Sequence, residues 1–420
     1  MSAVEPTASA VTLDEAFVRA QFPAFSEPSL DGFVHLENAG GSYACEPVIR
    51  RLDHFYRRTK LQPYYPSAPS TAGGEAMSEA RARWAAWLGV GEDEVHFGPS
   101  TSQNTYVLAQ ALRQWLQPGD EVVVTNQDHE TNIGAFARLA EEGFTVREWS
   151  VNPETGALDE AGLDRVLTGK TRVVAFTHCS NVVGTIHPAA AWCRKIRDAG
   201  ALSIVDGVSA APHGTPWIPS LGADIYLFSL YKVYGPHLGL MTLARRWNER
   251  LPNQGHFFNA GIPTARMTPA GPDHAQIAAA AGVIDYFESL DRHHFPDADT
   301  DSRASSERVH HLLRNQETRL LGPLLEALKS LPGVRLVGST EVRDRAPTVA
   351  LQVEGHRAQA LCEALAARGI GTGYGNFYAY RLMEALGIDP DTGVLRCSLV
   401  HYNTSTEVEA LVAALGELLG

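Results

Sequence analysis

The sequence predicts an α/β protein, with a mostly parallel central sheet in a large domain and a smaller α+β domain at its C-terminal end. Short apolar runs of strand length, bounded by Gly, Pro or Asp, alternate with helical stretches through most of the chain. Polar clusters fall repeatedly where a strand hands over to a helix, which is the layout of crossover units in a parallel sheet. After a polar connector the composition shifts to a helix rich in Leu, Arg and Glu. These features predict a segment over 1–30 that packs with the small domain, a large domain over 31–295 and a small domain over 296–420.

Residues 1–11 are small and polar and predict a frayed end. Thr12–Phe22 predicts a helix, with Thr12 as cap and Glu15 at capping-box spacing. A short strand then runs into HLENAGGSYACEP. There Asn38, Ala39, Gly40 and Gly41 allow a close backbone approach, or simply make a turn. A helix over 46–60, a Pro-, Tyr- and Ser-rich loop over 61–72, and a helix over 75–88 carrying Trp84 and Trp87 follow. Val95 to Phe97 reads as a strand leading into GPSTSQNTYVLAQAL. A strand, a loop with Ser100, Thr101 and Ser102, then a helix outlines a phosphate cradle; a plain N-cap accounts for the same residues. The strand at 121–125 ends at NQDHETN with His129, and a helix starts at Asn132. The strand at 173–177 ends at HCSNVVGT with His178 and Asn181, before a helix over 188–198. An Ala-rich helix is expected over 272–290, a connector over 291–306 and a helix over 307–331. Strands near 334–338, 348–353 and 394–400, and helices over 356–368 and 405–419, complete the small domain.

The organising stretch is 201–239, ALSIVDGVSAAPHGTPWIPSLGADIYLFSLYKVYGPHLG. Its two apolar runs end on Asp206 and on Ser229, with Lys232 just beyond. Ligands of open α/β sheets bind outside such strand ends. A lysine that forms a Schiff base, with an acid to hold a pyridinium nitrogen, is a protein's share of pyridoxal phosphate chemistry. A surface lysine and an ordinary strand-end acid would give the same spacing.

A net charge of −13, without long like-charge runs, argues against nucleic acid and anionic membranes as partners. Cys45, Cys179, Cys193, Cys362 and Cys397 are scattered, without metal-ligand spacing, so no metal site and no disulfide framework are expected. No secretory h-region and no apolar run of spanning length is present, which predicts a cytoplasmic protein.

Seven motifs in order, ENAGGS, GPSTS, QDHETN, HCSNVVGT, VDGVSAAPH, SLYKVYGPHLG and RCSLVHYNTSTEVE, carry a resemblance. From about His35 onward the chain resembles fold-type I pyridoxal phosphate enzymes of the class V aminotransferase group, on the cysteine desulfurase-like branch. The resemblance implies that Lys232 holds the cofactor covalently and then moves protons at Cα and C4′. It implies that Asp206 pairs with the pyridinium nitrogen and that His129 stacks on the ring. Thr101, Ser102 and Ser229 would donate to the phosphate; Asn181 would lie near O3′ and the substrate carboxylate. Arg396 would grip that carboxylate, with Asn38 and Ala39 beside the substrate. A homodimer is implied too, with the segment Gly271–His274 reaching toward the neighbour's phosphate, although the usual Gly-Thr-Pro is not intact.

The chain departs from the desulfurase pattern at Ser209, where a Gln is usual, and at Tyr231, where a His is usual. Ser209 offers a shorter hydroxyl with less reach toward O3′, whereas Tyr231 can still donate to the phosphate. The larger departure is the loop around 373–380, which carries Tyr and Asn but not the nucleophilic Cys of desulfurases. The nearby Cys397 sits inside a predicted strand, as inert packing. These residues point to an enzyme acting on an amino acid, as a carbon–sulfur β-lyase. An aminotransferase or epimerase, or a desulfurase with a relocated nucleophile, are the alternatives. Tyr374, Asn376, Tyr378 and Arg266 are the candidates for reading the substrate side chain.

Overall fold

The structure, a computed structural model, describes residues 11–420; the predicted frayed end lies almost wholly outside them. The chain enters through α1 (Glu15–Arg19), β1 (Val34–His35), α2 (Glu46–His54) and α3 (Ala68–Leu88). The central sheet is then laid down by β2 (Val95–Gly98), α4 (Thr101–Trp115), β3 (Glu121–Thr125), α5 (Glu130–Ala137), β4 (Thr145–Trp149), α6 (Glu160–Val166), β5 (Thr171–Thr177) and α7 (Ala189–Asp198). It is completed by β6 (Leu202–Asp206), α8 (Ile218–Leu221), β7 (Ile225–Ser229), β8 (Gly239–Leu243) and α9 (Arg245–Arg250).

The strand order is β2-β8-β7-β6-β5-β3-β4. β4, β3, β5, β6 and β7 are mutually parallel, and β8 runs antiparallel to β7 and β2. Strands β3, β6 and β7 are buried at every position, as runs such as EVVVT and LSIVD require when helices cover both faces. Successive residues alternate between two cores. Val122, Val124, Ile204 and Leu227 pack under α4 and α5. Val123, Val205 and Phe228 pack with Trp84 of α3 and Trp192 of α7. β4 closes one edge, and there Arg147 bonds Glu121 of β3 through Nε at 2.6 Å.

The chain continues through α10 (His274–Ala279), α11 (Ala281–His294) and α12 (Ser302–Ser330). It then forms β9 (Val334–Val337), β10 (Thr348–Val353), α13 (Ala358–Ala366), β11 (Ile370–Gly371), β12 (Gly373–Gly375), α14 (Tyr380–Ala385), β13 (Val394–Ser398) and α15 (Ser405–Leu419). β12-β13-β10-β9 make an antiparallel sheet, and β1 pairs in parallel with β11. α12, α13 and α15 bury their leucines against this sheet. From the N-terminal segment, Arg19 donates to Tyr402 O at 3.0 Å and pairs with Glu407, while Phe22 packs edge-on against Tyr234, Tyr286 and Tyr402.

Several local expectations are corrected. The first helix is one short piece capped by Asp14, whose carboxylate accepts from Phe17 N, and Thr12 plays no part in the cap. α3 begins at Ala68, inside the stretch expected to be loop. Pro69 lies in its first turn, where a missing N–H costs nothing, so it did not mark a break. The expected 272–290 helix is two helices meeting at Ala280. β4, β8, β11, β12 and α14 were not anticipated; most are short, and the solvated β4 lacks a clean apolar pattern.

Candidate active site

The carboxyl ends of β3, β5, β6 and β7 and the N-terminus of α4 converge on one cavity of about 310 Å³. Lys232, Asp206, His129, Asn181, Ser209, Thr101, Ser102, Ser229 and Tyr231 all line it, so the structure brings together the expected cofactor residues.

Lys232 stands on a tight turn after β7, where Val233 N donates to Leu230 O at 2.8 Å. The turn is fastened by the ENAGGS motif. Ser42 N and Oγ both donate to Tyr231 O at 3.2 Å, and Tyr234 N donates to Ser42 Oγ at 3.0 Å. Lys232 is buried, whereas Lys60, Lys170 and Lys329 are exposed and Lys195 is half-buried and paired with Glu160 and Asp164. Burial, and then the charge of Arg396, bring its amine down to about 8.

Asp206 ends β6 and is buried; its Oδ1 accepts from Val208 N at 2.8 Å. Burial raises its carboxyl to about 6, against the pull of that hydrogen bond and of Lys232. Asp128 lies beneath, bonded to Thr125 and to Asn132 Nδ2 at 2.6 Å, and burial pushes it to about 7. His129 caps α5 by accepting from Thr131 N at Nδ1, 3.1 Å away, which leaves Nε2 to carry the proton of the neutral ring. Burial and the cations Lys232 and Arg396 lower it to about 4, so it is neutral at physiological pH.

The opposite end suits a phosphate. Ser100 caps α4 by accepting from Gln103 N at 3.1 Å. The N–H groups of Thr101 and Ser102 keep no protein partner among the described residues. Thr101 Oγ1 and Ser229 Oγ lie 2.8 Å apart, and Ser102 Oγ lies 2.9 Å from Thr131 Oγ1. Gly239 makes the approach possible, since a Cβ there would fall 2.4 Å from the Ser100 carbonyl carbon. Free helix-start donors, a ring of hydroxyls, and a buried amine and acid in one cavity fit pyridoxal phosphate. The sequence reading missed Thr131 and His237 as lining residues. His237 stacks on Tyr231 with ring centres 4.9 Å apart; its signal was the GPH that follows the lysine turn.

Beside the cavity, though not among the residues that line it, β13 presents Arg396, buried, with Nη1 donating to Asn181 O at 2.8 Å. Its guanidinium is also paired with Glu37, a partner the sequence did not reveal, and lies 3.6 Å from the centre of the Phe377 ring. Asn181 Nδ2 donates to Phe377 O at 2.8 Å. Asn38 and Ala39 line a small cavity beside Lys232 and Ser209, and the Asn38 side chain is held by its own partners. Its amide donates to Ser398 O at 2.9 Å and Asn403 Oδ1 at 3.2 Å, and it accepts from Tyr402. Ala39 N donates to Ser398 Oγ at 2.8 Å. Tyr378 is exposed, with its ring 5.0 Å from that of His129, and Tyr374 is exposed on β12. Asn376 donates to Pro390 O and shapes its own loop. Arg266 is corrected outright: it donates to the carbonyls of Asn248, Leu251 and Ala260 and staples a loop away from the cavity. Of the segment Gly271–His274, Gly271, Pro272 and Asp273 line a neighbouring cleft behind the start of α4.

Among the described residues no thiol stands ready in this site. Cys179 lines the cavity, but its Sγ turns to Gly184 O at 3.5 Å and burial pushes its pKa to about 12. Cys397 packs in the core between the antiparallel sheet and α12, α13 and α15, also raised to about 12 by burial.

The family model for class-V aminotransferases matches residues 34–258 and 307–411. The aminotransferase-like protein FGM3 of Gibberella zeae is 36% identical over 419 residues, covering 96% of this chain and 98% of that protein. A probable cysteine desulfurase of Xylella fastidiosa is 28% identical over 435 residues, covering 99% and 97%. Among solved structures, the cysteine desulfurase CsdA of Escherichia coli superposes with a TM-score of 0.81 at 25% identity, covering 97% of this chain and all of that one. With the family model spanning both parts of the fold and a full-length relative at this identity, the chain belongs to the class-V aminotransferase family of pyridoxal-phosphate-dependent enzymes, on its cysteine desulfurase-like branch.

Proposed function

We propose that the chain binds pyridoxal phosphate at Lys232 and catalyses β-elimination at the carbon–sulfur bond of a cysteine-type amino acid. The observation that supports this is a Lys232, Asp206 and His129 set around one cavity from which a competent thiolate is missing. The bound cofactor would supply the electron sink for charge at the substrate's Cα. Asp206 would hold a positive charge at the buried end of the ring, and His129, neutral, would cover one face. Thr101, Ser102 and Ser229 would carry the phosphate. Lys232, with its amine near neutrality, would take the Cα proton. The carbon–sulfur bond then breaks with its electron pair on sulfur, which leaves as a thiol after protonation.

A desulfurase must instead attack the substrate sulfur with a thiolate. With a pKa of about 12, Cys179 and Cys397 each hold only about one thiolate in 10⁵ at pH 7. The test is release of pyruvate and sulfide from cysteine-type substrates under reducing conditions by the parent enzyme, Cys179→Ser and Cys397→Ser. Unchanged turnover supports elimination. Loss in either variant with cofactor loading intact, together with a persulfide on that cysteine in the parent, would make it a desulfurase.

A second reading, transamination on the same scaffold, has support in the name of the Gibberella zeae relative; keto-acid-dependent turnover without sulfide would establish it. A homodimer is also part of the proposal. Phe257, Phe258 and Ile262 are exposed on a loop near Gly271, an apolar surface suited to a second copy. A monomer by light scattering that is fully active would refute this.

A further inference from the structure

The carboxyl end of the substrate site is already furnished with a carboxylate. Glu37 meets Arg396 side-on, through Nη2 and through Nε, the latter at 3.4 Å. This seat is built rather than incidental. A Cβ on Gly373 would fall 2.7 Å from the Glu37 carboxylate, and one on Gly40 would fall 3.0 Å from it. Two glycines therefore clear the space that the carboxylate fills. Glu37's backbone is fixed as well, since its carbonyl accepts from Gly40 N at 3.0 Å and Gly41 N at 3.4 Å. Nη1 of Arg396 is engaged by Asn181 O, and the Phe377 ring covers the guanidinium face. The single positive charge at this end is thus matched before any substrate enters. A free α-carboxylate would stand beside Glu37, two anions around one buried cation, which electrostatics disfavours.

We propose that Glu37 is a specificity-determining residue that selects amino compounds whose carboxyl end is neutral, an ester or an amide, over the free amino acid. This rests on the reading of the site as one for cysteine-type compounds and narrows it. A neutral acyl carbonyl can accept from the remaining guanidinium N–H groups without adding charge.

The experiment compares cysteine, cysteine methyl ester and cysteinamide as sources of sulfide with the holoenzyme and its Glu37→Gln variant. In parallel, alanine, alanine methyl ester and alaninamide are titrated calorimetrically, which requires no turnover. The parent should favour both neutral forms over the free acid by on the order of 100-fold in kcat/KM and in Kd. Glu37→Gln should bring the forms to within about tenfold by strengthening the free acid. Preference of the parent for free cysteine and alanine, or an unchanged ratio in a Glu37→Gln protein that melts like the parent, would overturn the proposal. If Glu37→Gln does not fold, the parent's ratio decides alone. Preference for the ester but not the amide would restrict the class to esters. Sulfide from none of the three would contradict the elimination reading, while the alanine series still decides the role of Glu37.

Discussion

Lys232 should combine with the cofactor at a pH where an ordinary lysine would not. Burial and the neighbouring Arg396 bring its amine from 10.5 to about 8. At pH 7 about 9% of it is then neutral and nucleophilic, against about 0.03% for an unperturbed lysine, a gain of about 300-fold. The rate at which the apoprotein takes up pyridoxal phosphate, followed by visible absorbance, should rise tenfold per pH unit up to about pH 8 and then level off. Arg396→Gln removes a positive neighbour and leaves Glu37 unpaired, and both effects favour the protonated amine. The midpoint should therefore move to higher pH and loading at pH 7 should slow. A rate that keeps climbing to pH 10 in the parent, or a midpoint that Arg396→Gln moves downward, would refute the electrostatic account of the turn.

Asp206→Asn keeps the shape but removes the buried charge. Turnover should fall about 10- to 150-fold, the range of a lost charge-assisted hydrogen bond, with reductive trapping at Lys232 still detectable. His96 on β2 is buried with both ring nitrogens unpartnered among the described residues, and burial lowers it to about 3. Between pH 6.5 and 3 the unfolded chain binds a proton there that the folded chain does not, so stability falls as the pH falls. His96→Leu removes this linkage and should gain about 2 kcal/mol over the parent on going from pH 8 to pH 5, read by urea unfolding of the apoprotein. A gain independent of pH would assign the effect to packing instead. Thr101→Ala removes the hydroxyl 2.8 Å from Ser229; cofactor Kd should rise about 5- to 10-fold, a typical lost hydrogen bond, and no change would place the phosphate elsewhere.

Much of the cavity floor was legible because strand ends advertise themselves. Asp206, Ser229 and Lys232 terminate apolar runs that only a doubly covered sheet explains, and His129 and Asn181 follow runs of the same kind. What escaped reading depends on contacts between distant segments. Glu37 and Arg396 are separated by most of the chain and meet because β1 pairs with β11 and a bridge joins Glu37 to Ser398. Asn38 looked available in sequence, yet Ser398, Tyr402 and Asn403 consume its amide. Arg266 misled for the complementary reason: a lone arginine in a polar loop gives no sign that three carbonyls, of Asn248 in α9 and of Leu251 and Ala260 after it, await it. Phe377 and Tyr378 adopt left-handed backbone angles, φ of 52° and 60°, which their residue types do not announce.

The most direct test of the account is borohydride reduction of the purified holoenzyme followed by peptide mapping. The account predicts a phosphopyridoxyl group on Lys232 alone, since the other lysines lie outside the cavity. Modification of Lys60, Lys170, Lys195 or Lys329 instead, or cofactor loading that survives Lys232→Ala with its covalent link intact, would contradict it.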